Sequence, residues 1–230
     1  MLKKLLLIIT AILMLASAYL VLFYAPIPID SKQTVADDPN DFKIFYFHLP
    51  IAISAYLAFT VVFISSILYL KYKTQKWDIM AYSGAEVGVI FAFLTLVSGS
   101  IWIRSGAWWA KTWWVATDVR LNTSLILFLI YLAYLMVRQA AEEPEKRARL
   151  SAVFGIVGFI GVPLSYLSIR LWNKSTLHPI MEFHPSFNML LTMIVCFSAF
   201  FLLTASLIIL RIDNEKIKEK INELKRAKNL

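Results

Sequence analysis

An all-α membrane protein built on six transmembrane helices, with both termini in the cytoplasm, is predicted by three features of the sequence. It is very apolar, it falls into six long apolar runs, and its basic residues alternate between loops. The 230 residues are 59% hydrophobic and only 17% charged, and mean hydropathy is +0.67. An ordinary soluble domain is less apolar than this. The runs cover roughly 5–24, 44–70, 79–102, 121–138, 150–170 and 187–210. Each is close to or above the ~20 residues that carry a helix across ~30 Å of hydrocarbon.

The first run follows Lys3 and Lys4 and contains "ASA" at Ala16–Ala18, as a secretory signal would. Its apolar stretch exceeds the ~7–15 residues of a signal core, so a retained helix is expected. The second run opens with "KIFYFHLP" (43–50). That turn is expected at the membrane interface, with Pro50 near the start of the true span. The third run carries Glu86. An ionisable group in a span is functional or bonded within the bundle, and the bonded reading is favoured here. Gly84, Gly88 and Gly99 suit close helix contact. The sixth run continues into "RIDNEKIKEKINELKRAKNL" (211–230), where Ile212, Ile217, Ile221 and Leu224 recur near helical spacing among charges. Residues 1–210 are thus expected to form the membrane domain, and 211–230 a charged helical tail.

Orientation follows from Lys and Arg. They gather before the first run, in "KYKTQK" (71–76), in "RQAAEEPEKRAR" (138–149) and in the tail. The loops 25–43, 103–120 and 171–186 hold few and are expected to face outward. The net charge of +8 is accounted for by these loops without a nucleic-acid partner. The single cysteine, Cys196, lies in an apolar run, which excludes a disulfide framework, a Cys-x-x-Cys redox pair and covalent c-type haem attachment.

Chemistry concentrates in one outward loop, "SGAWWAKTWWVATDVRL" (105–121). Trp108, Trp109, Trp113 and Trp114 fall within it, with Trp102 just upstream, although the chain has only seven tryptophans. One or two interfacial tryptophans are membrane anchors. Four in so short a stretch exceed what anchoring needs and make a platform for a large, flat, apolar ligand. Arg104, Lys111 and Arg120 suit carboxylates on that ligand's rim. For Asp118 a structural role in the loop is favoured. The three histidines, His48, His178 and His184, all fall at outward helix ends or in outward loops. Imidazoles ligate iron. Haem, with an apolar macrocycle, two propionates and an iron, fits such a site. No Ser–His–Asp set, phosphate loop or paired carboxylates appear, so a conventional enzyme is not expected. A permease would need polar residues strung through its spans, where Glu86 stands out alone. A structural subunit would use the tryptophans as anchors only.

The loop resembles the tryptophan-rich WWD segment of the haem-handling protein family, whose core reads Trp-Trp-x-Trp-Asp-x-Arg-Leu-Thr. Here "WWVATDVRLNT" places Trp113, Trp114, Asp118, Arg120 and Leu121 in that order, with one extra residue and no Trp before the Asp. "GAEVGVIFAFLTLVSGSIW" (84–102) is similar to the family's third helix. "FYFHLP" and "LWNKSTLHP" resemble its two histidine segments, the second with extra residues. The resemblance spans Lys43 to about Pro179, and chain size with six spans points to the smaller CcmC branch. It implies His48 and His178 as axial ligands of haem b, while His184 has no counterpart. It further implies delivery of haem to the chaperone CcmE beside the ABC components CcmA and CcmB, with CcmD as a further partner, at the outer face of the cytoplasmic membrane.

Overall fold

The computed structural model describes residues 1–26, 39–106, 112–172 and 186–228. Every regular element among them is helical: α1 (Leu2–Tyr19), α2 (Phe45–Tyr72), α3 (Gln75–Gly106), α4 (Val119–Ala140), α5 (Pro144–Gly158), α6 (Gly161–Leu171) and α7 (Phe187–Lys228). Six segments are long and apolar enough to cross a membrane: Leu2–Tyr24, Phe45–Tyr72, Gln75–Ser105, Val119–Ala140, Pro144–Leu171 and Phe187–Lys228. The predicted six-span helical architecture is what the chain adopts.

Two boundaries differ from the sequence reading, each for a local reason, and the third follows it. Helix α2 starts upstream of Pro50, which sits inside it. A 3-10 turn over Pro39–Ile44 leads directly into the helix, so His48 is already helical. The fifth span is two helices rather than one. Pro163 has no N–H to offer the carbonyl four residues back. The chain tightens at the break instead, through Ile160 N–H to Val157 O (3.2 Å) and Val162 N–H to Phe159 O (2.9 Å). The sixth span and the tail form one unbroken helix of 42 residues, about 63 Å long. That is twice the hydrocarbon thickness, so its charged half projects beyond the membrane.

The α2–α3 hairpin is the centre of the bundle. Its turn is closed by Lys73 in the left-handed region (φ 54°), with the Lys73 N–H on Tyr69 O at 2.8 Å. Lipid gives helices no hydrophobic reason to associate, so close packing and polar contacts hold them. Ala55, Ala58, Ala81 and Ala85 are buried between the two helices. A Cβ on Gly84 would meet Ala58 O at 3.2 Å, and one on Gly88 would lie 2.5 Å from the Phe59 ring. That ring stacks on Tyr131 of α4, with centroids 3.7 Å apart and planes 8° from parallel. The first apolar run packs along α7: Thr10 and Ser206 hydroxyls meet at 3.1 Å, Lys3 pairs with Asp213, and Tyr24 O–H donates to Asn188 (3.0 Å). Its other face, with Leu5, Ile8, Ile12 and Leu15, is exposed and suits lipid. Cys196 is fully buried.

Ion pairs mark the bundle end that carries the α2–α3 turn. Arg138 closes on Asp78, and Arg211 binds both Glu86 (2.5 Å) and Glu215 (3.0 Å). Tyr82 lies between the two cations, with its ring centroid 4.5 Å from Arg138 Cζ and 5.7 Å from Arg211 Cζ. Glu86 is therefore bonded within the bundle. His48 sits at the opposite end of α2, 24 residues from Tyr72, or about 36 Å along the helix.

Candidate functional site

His48 projects from the first turn of α2 onto α3, where its Nδ1 lies 2.8 Å from Ser98 Oγ. The Ser98 hydroxyl also reaches the carbonyls of Leu94 (2.7 Å) and Thr95 (3.2 Å) in its own helix. Next to it, a Cβ built on Gly99 would meet His48 Cε1 at 3.5 Å, an ordinary contact. Gly99 therefore flanks the imidazole rather than a helix backbone. Ser98 is eight residues from the end of α3, which places His48 about 12 Å below that terminus.

The described part of the loop is ordered by its own polar groups. Asp118 is the N-cap of α4: its carboxylate accepts the Leu121 N–H at 2.9 Å, which satisfies one of the helix's first free donors. The Asp118 N–H in turn reaches Val115 O (3.0 Å). Asn122 Nδ2 donates to Ala116 O at 2.7 Å, and Thr112 O–H to Trp114 O at 3.1 Å. Trp114 is half-buried, whereas Trp113 is 60% exposed. Arg104 is exposed near the end of α3. Trp108, Trp109, Lys111, His178 and His184 lie outside the described residues.

Arg120 points the other way, into the bundle. Its guanidinium donates to the Ser165 carbonyl of α6 and lies 6.0 Å from the Tyr56 ring centroid. Ser165 is a junction: its carbonyl also accepts the Ser168 hydroxyl at 2.7 Å, and its Oγ meets Tyr56 OH at 3.1 Å and Ser124 Oγ at 3.3 Å. A small void beside these groups is walled by Tyr56, Thr95, Ser124 and Ser165 among alanines. Sequence reasoning missed Ser98, Tyr56 and Ser165. Serines and tyrosines in an apolar run carry no motif, and their partners are 50 and 109 residues away in sequence. Among the described residues, no cluster of three or more His, Cys, Asp or Glu side chains could hold a bare metal ion. The arrangement instead offers one helix-mounted imidazole and an exposed indole at the same bundle end.

The profile of the family described as CcmC, heme exporter protein C, matches residues 1–227. The chain belongs to the CcmC family. Heme exporter protein C of Bradyrhizobium diazoefficiens is 33% identical over 189 residues, covering 79% of this chain and 69% of the relative. That of Haemophilus influenzae is 31% identical over 186 residues, covering 78% and 73%. A ccmC-like mitochondrial protein of cytochrome c biosynthesis from Marchantia polymorpha is 34% identical over 176 residues, covering 74% and 72%. This CcmC-family chain is thus a multi-pass membrane protein of the heme exporter group in cytochrome c biogenesis.

Proposed function

We propose that the protein binds haem b at its outward face and presents it to the chaperone CcmE during cytochrome c maturation, beside CcmA, CcmB and CcmD. His48 and His178 are the axial ligands. Trp108, Trp109, Trp113 and Trp114 form the platform for the macrocycle. Arg104 and Lys111 face the propionates, Asp118 holds the loop at the start of α4, and Arg120 ties that helix to α6. Both termini and the charged half of α7 are cytoplasmic.

The observation that carries this reading is His48: an imidazole hydrogen-bonded at the bundle end where α3 runs out, the same end as a loop whose Trp113 stands 60% exposed. An exposed indole at this end is a headgroup anchor or a face for a flat ligand, and the imidazole at the same end favours the second. Haem supplies the iron and the apolar disc. The chain supplies imidazole nitrogens, indole faces and a basic rim, and needs no proton transfer of its own to do so. The family match favours this reading over a permease or an anchoring subunit.

The test is the absorption spectrum of the full chain purified in detergent from haem-replete cells. A low-spin Soret band is expected, since two imidazoles give strong-field ligation. His48→Ala and His178→Ala each perturb it, and the double variant is colourless. A parent protein without haem, or a double variant with the parent spectrum, overturns the proposal.

A further inference from the structure

We infer that Ser98 is a positioning residue: it holds His48 in the tautomer that carries its proton on Nδ1, so that Nε2 is the nitrogen offered to iron. This rests on the reading of His48 as a haem ligand.

A serine hydroxyl has one proton and two lone pairs. Ser98 Oγ lies 2.7 Å from Leu94 O and 3.2 Å from Thr95 O, and 2.8 Å from His48 Nδ1. If the proton pointed at Nδ1, the hydroxyl oxygen would face the Leu94 carbonyl oxygen at 2.7 Å with no hydrogen between them. Two lone-pair-bearing oxygens at that separation repel. With the proton on the Leu94 carbonyl, the remaining Ser98 lone pair accepts from Nδ1–H. Both short contacts are then hydrogen bonds. The consequence falls on the other ring nitrogen, because a neutral imidazole protonated at Nδ1 has its free lone pair on Nε2.

The geometry suits the task. Ser98 is itself pinned to the α3 backbone, so the acceptor cannot swing away. His48 is on the first turn of α2, and the α2–α3 packing through Gly84 and Gly88 fixes the separation of the two helices. Gly99 leaves an ordinary van der Waals approach at Cε1, so α3 accepts the ring at that position without a clash. A partner of this kind orients a ligating histidine and raises its basicity.

The experiment has two arms, one of them free of haem. In the first, the full-length apoprotein with 15N-labelled histidine is studied by NMR at about pH 8, where an unperturbed imidazole is neutral. His48, assigned by its loss in His48→Ala, is expected as the Nδ1–H tautomer in the parent. Ser98→Ala shifts the population toward Nε2–H, and Ser98→Thr, which keeps the hydroxyl, restores it. In the second arm, haem-loaded Ser98→Ala is expected to lose haem to apomyoglobin about tenfold faster than the parent. Its midpoint potential should shift upward, because a less basic ligand favours ferrous iron. Ser98→Thr restores both. Alanine is a better helix former than serine, so α3 survives the change. An Nε2–H signal for His48 in the parent, or a tautomer unaffected by Ser98→Ala, overturns the inference. If the tautomer behaves as expected but His48→Ala leaves haem binding unchanged, the ligand role of His48 falls while the hydrogen bond stands.

Discussion

The guanidinium of Arg138 closes on both carboxylate oxygens of Asp78, at 2.5 and 2.6 Å, joining the end of α4 to the start of α3. Both side chains are about nine-tenths buried. Removing one member of such a pair leaves a buried, uncompensated charge and costs about 3–5 kcal/mol. Asp78→Ala and Arg138→Ala should each lower the thermal unfolding midpoint of the detergent-purified protein sharply. Asp78→Leu combined with Arg138→Leu should recover much of the loss, since apolar packing replaces the pair without stranding a charge. Single variants that melt with the parent would show the pair to be energetically idle.

Gly88 tests the close packing of α2 and α3. Its missing Cβ would lie 2.5 and 2.7 Å from two atoms of the Phe59 ring, and that ring is already stacked on Tyr131. Overpacking of this kind costs about 1–3 kcal/mol. Gly88→Ala should be destabilised, and adding Phe59→Leu should relieve part of the strain. A Gly88→Ala protein as stable as the parent would mean that the helices separate freely.

Cysteine labelling tests the orientation. Cys196 is fully buried, so its background reactivity toward a membrane-impermeant maleimide is expected to be low. Trp113→Cys, in the loop before α4, should react from the outside of intact cells. Lys73→Cys, in the α2–α3 turn, should react only after the membrane is opened. The reverse pattern would invert the topology and move the proposed haem site to the cytoplasm.

The platform is tested by truncating Trp113 and Trp114. Neither lies in a span, so membrane insertion should be unchanged in both alanine variants. An aromatic face contributes about 0.5–1.5 kcal/mol beyond its buried area, which corresponds to a roughly 2- to 12-fold faster loss of haem per residue. Pull-down of the chaperone should weaken in parallel. Unchanged haem retention in both variants would reduce these two tryptophans to interfacial anchors.

The spans were legible in the sequence because hydropathy and span length are averages over ~20 residues, robust to any one position. Glu86 was legible as a bonded group for the same reason: an acid in a span demands a partner, and Arg211 is that partner. Local departures were harder to read. Pro163 splits the fifth span although the apolar run is continuous, because a proline's effect depends on one missing N–H and not on hydropathy. Pro50 did not delay the start of α2, because the preceding 3-10 turn had already set a helical path. At the site, His48 and the tryptophan loop carried recognisable residue types. Ser98 did not, since its meaning comes wholly from the 2.8 Å contact with a ring on another helix.

Arg120 and Arg104 were both candidates for the acidic edge of the ligand, and the fold separates them. Arg120 is 9% exposed; it binds the Ser165 carbonyl beside the Tyr56 ring and ties the start of α4 to α6. A hydrogen bond from a charged donor is worth about 1.5–3 kcal/mol, and removing it also unpairs the carbonyl from one of its donors. Arg120→Ala should therefore destabilise the apoprotein by about 2 kcal/mol. Arg120→Lys should rescue this only in part, because an ammonium lacks the planar fork and its stacking. Arg104 is exposed, so Arg104→Ala should leave the melting of the apoprotein within about 0.5 kcal/mol of the parent. Its effect should appear only with haem, as faster loss to apomyoglobin that grows at low ionic strength, where a rim charge acts most strongly. Melting the two apoproteins and timing haem loss at two salt concentrations decides the assignment. If Arg104→Ala lowers apoprotein stability while Arg120→Ala does not, the roles given to the two arginines are exchanged.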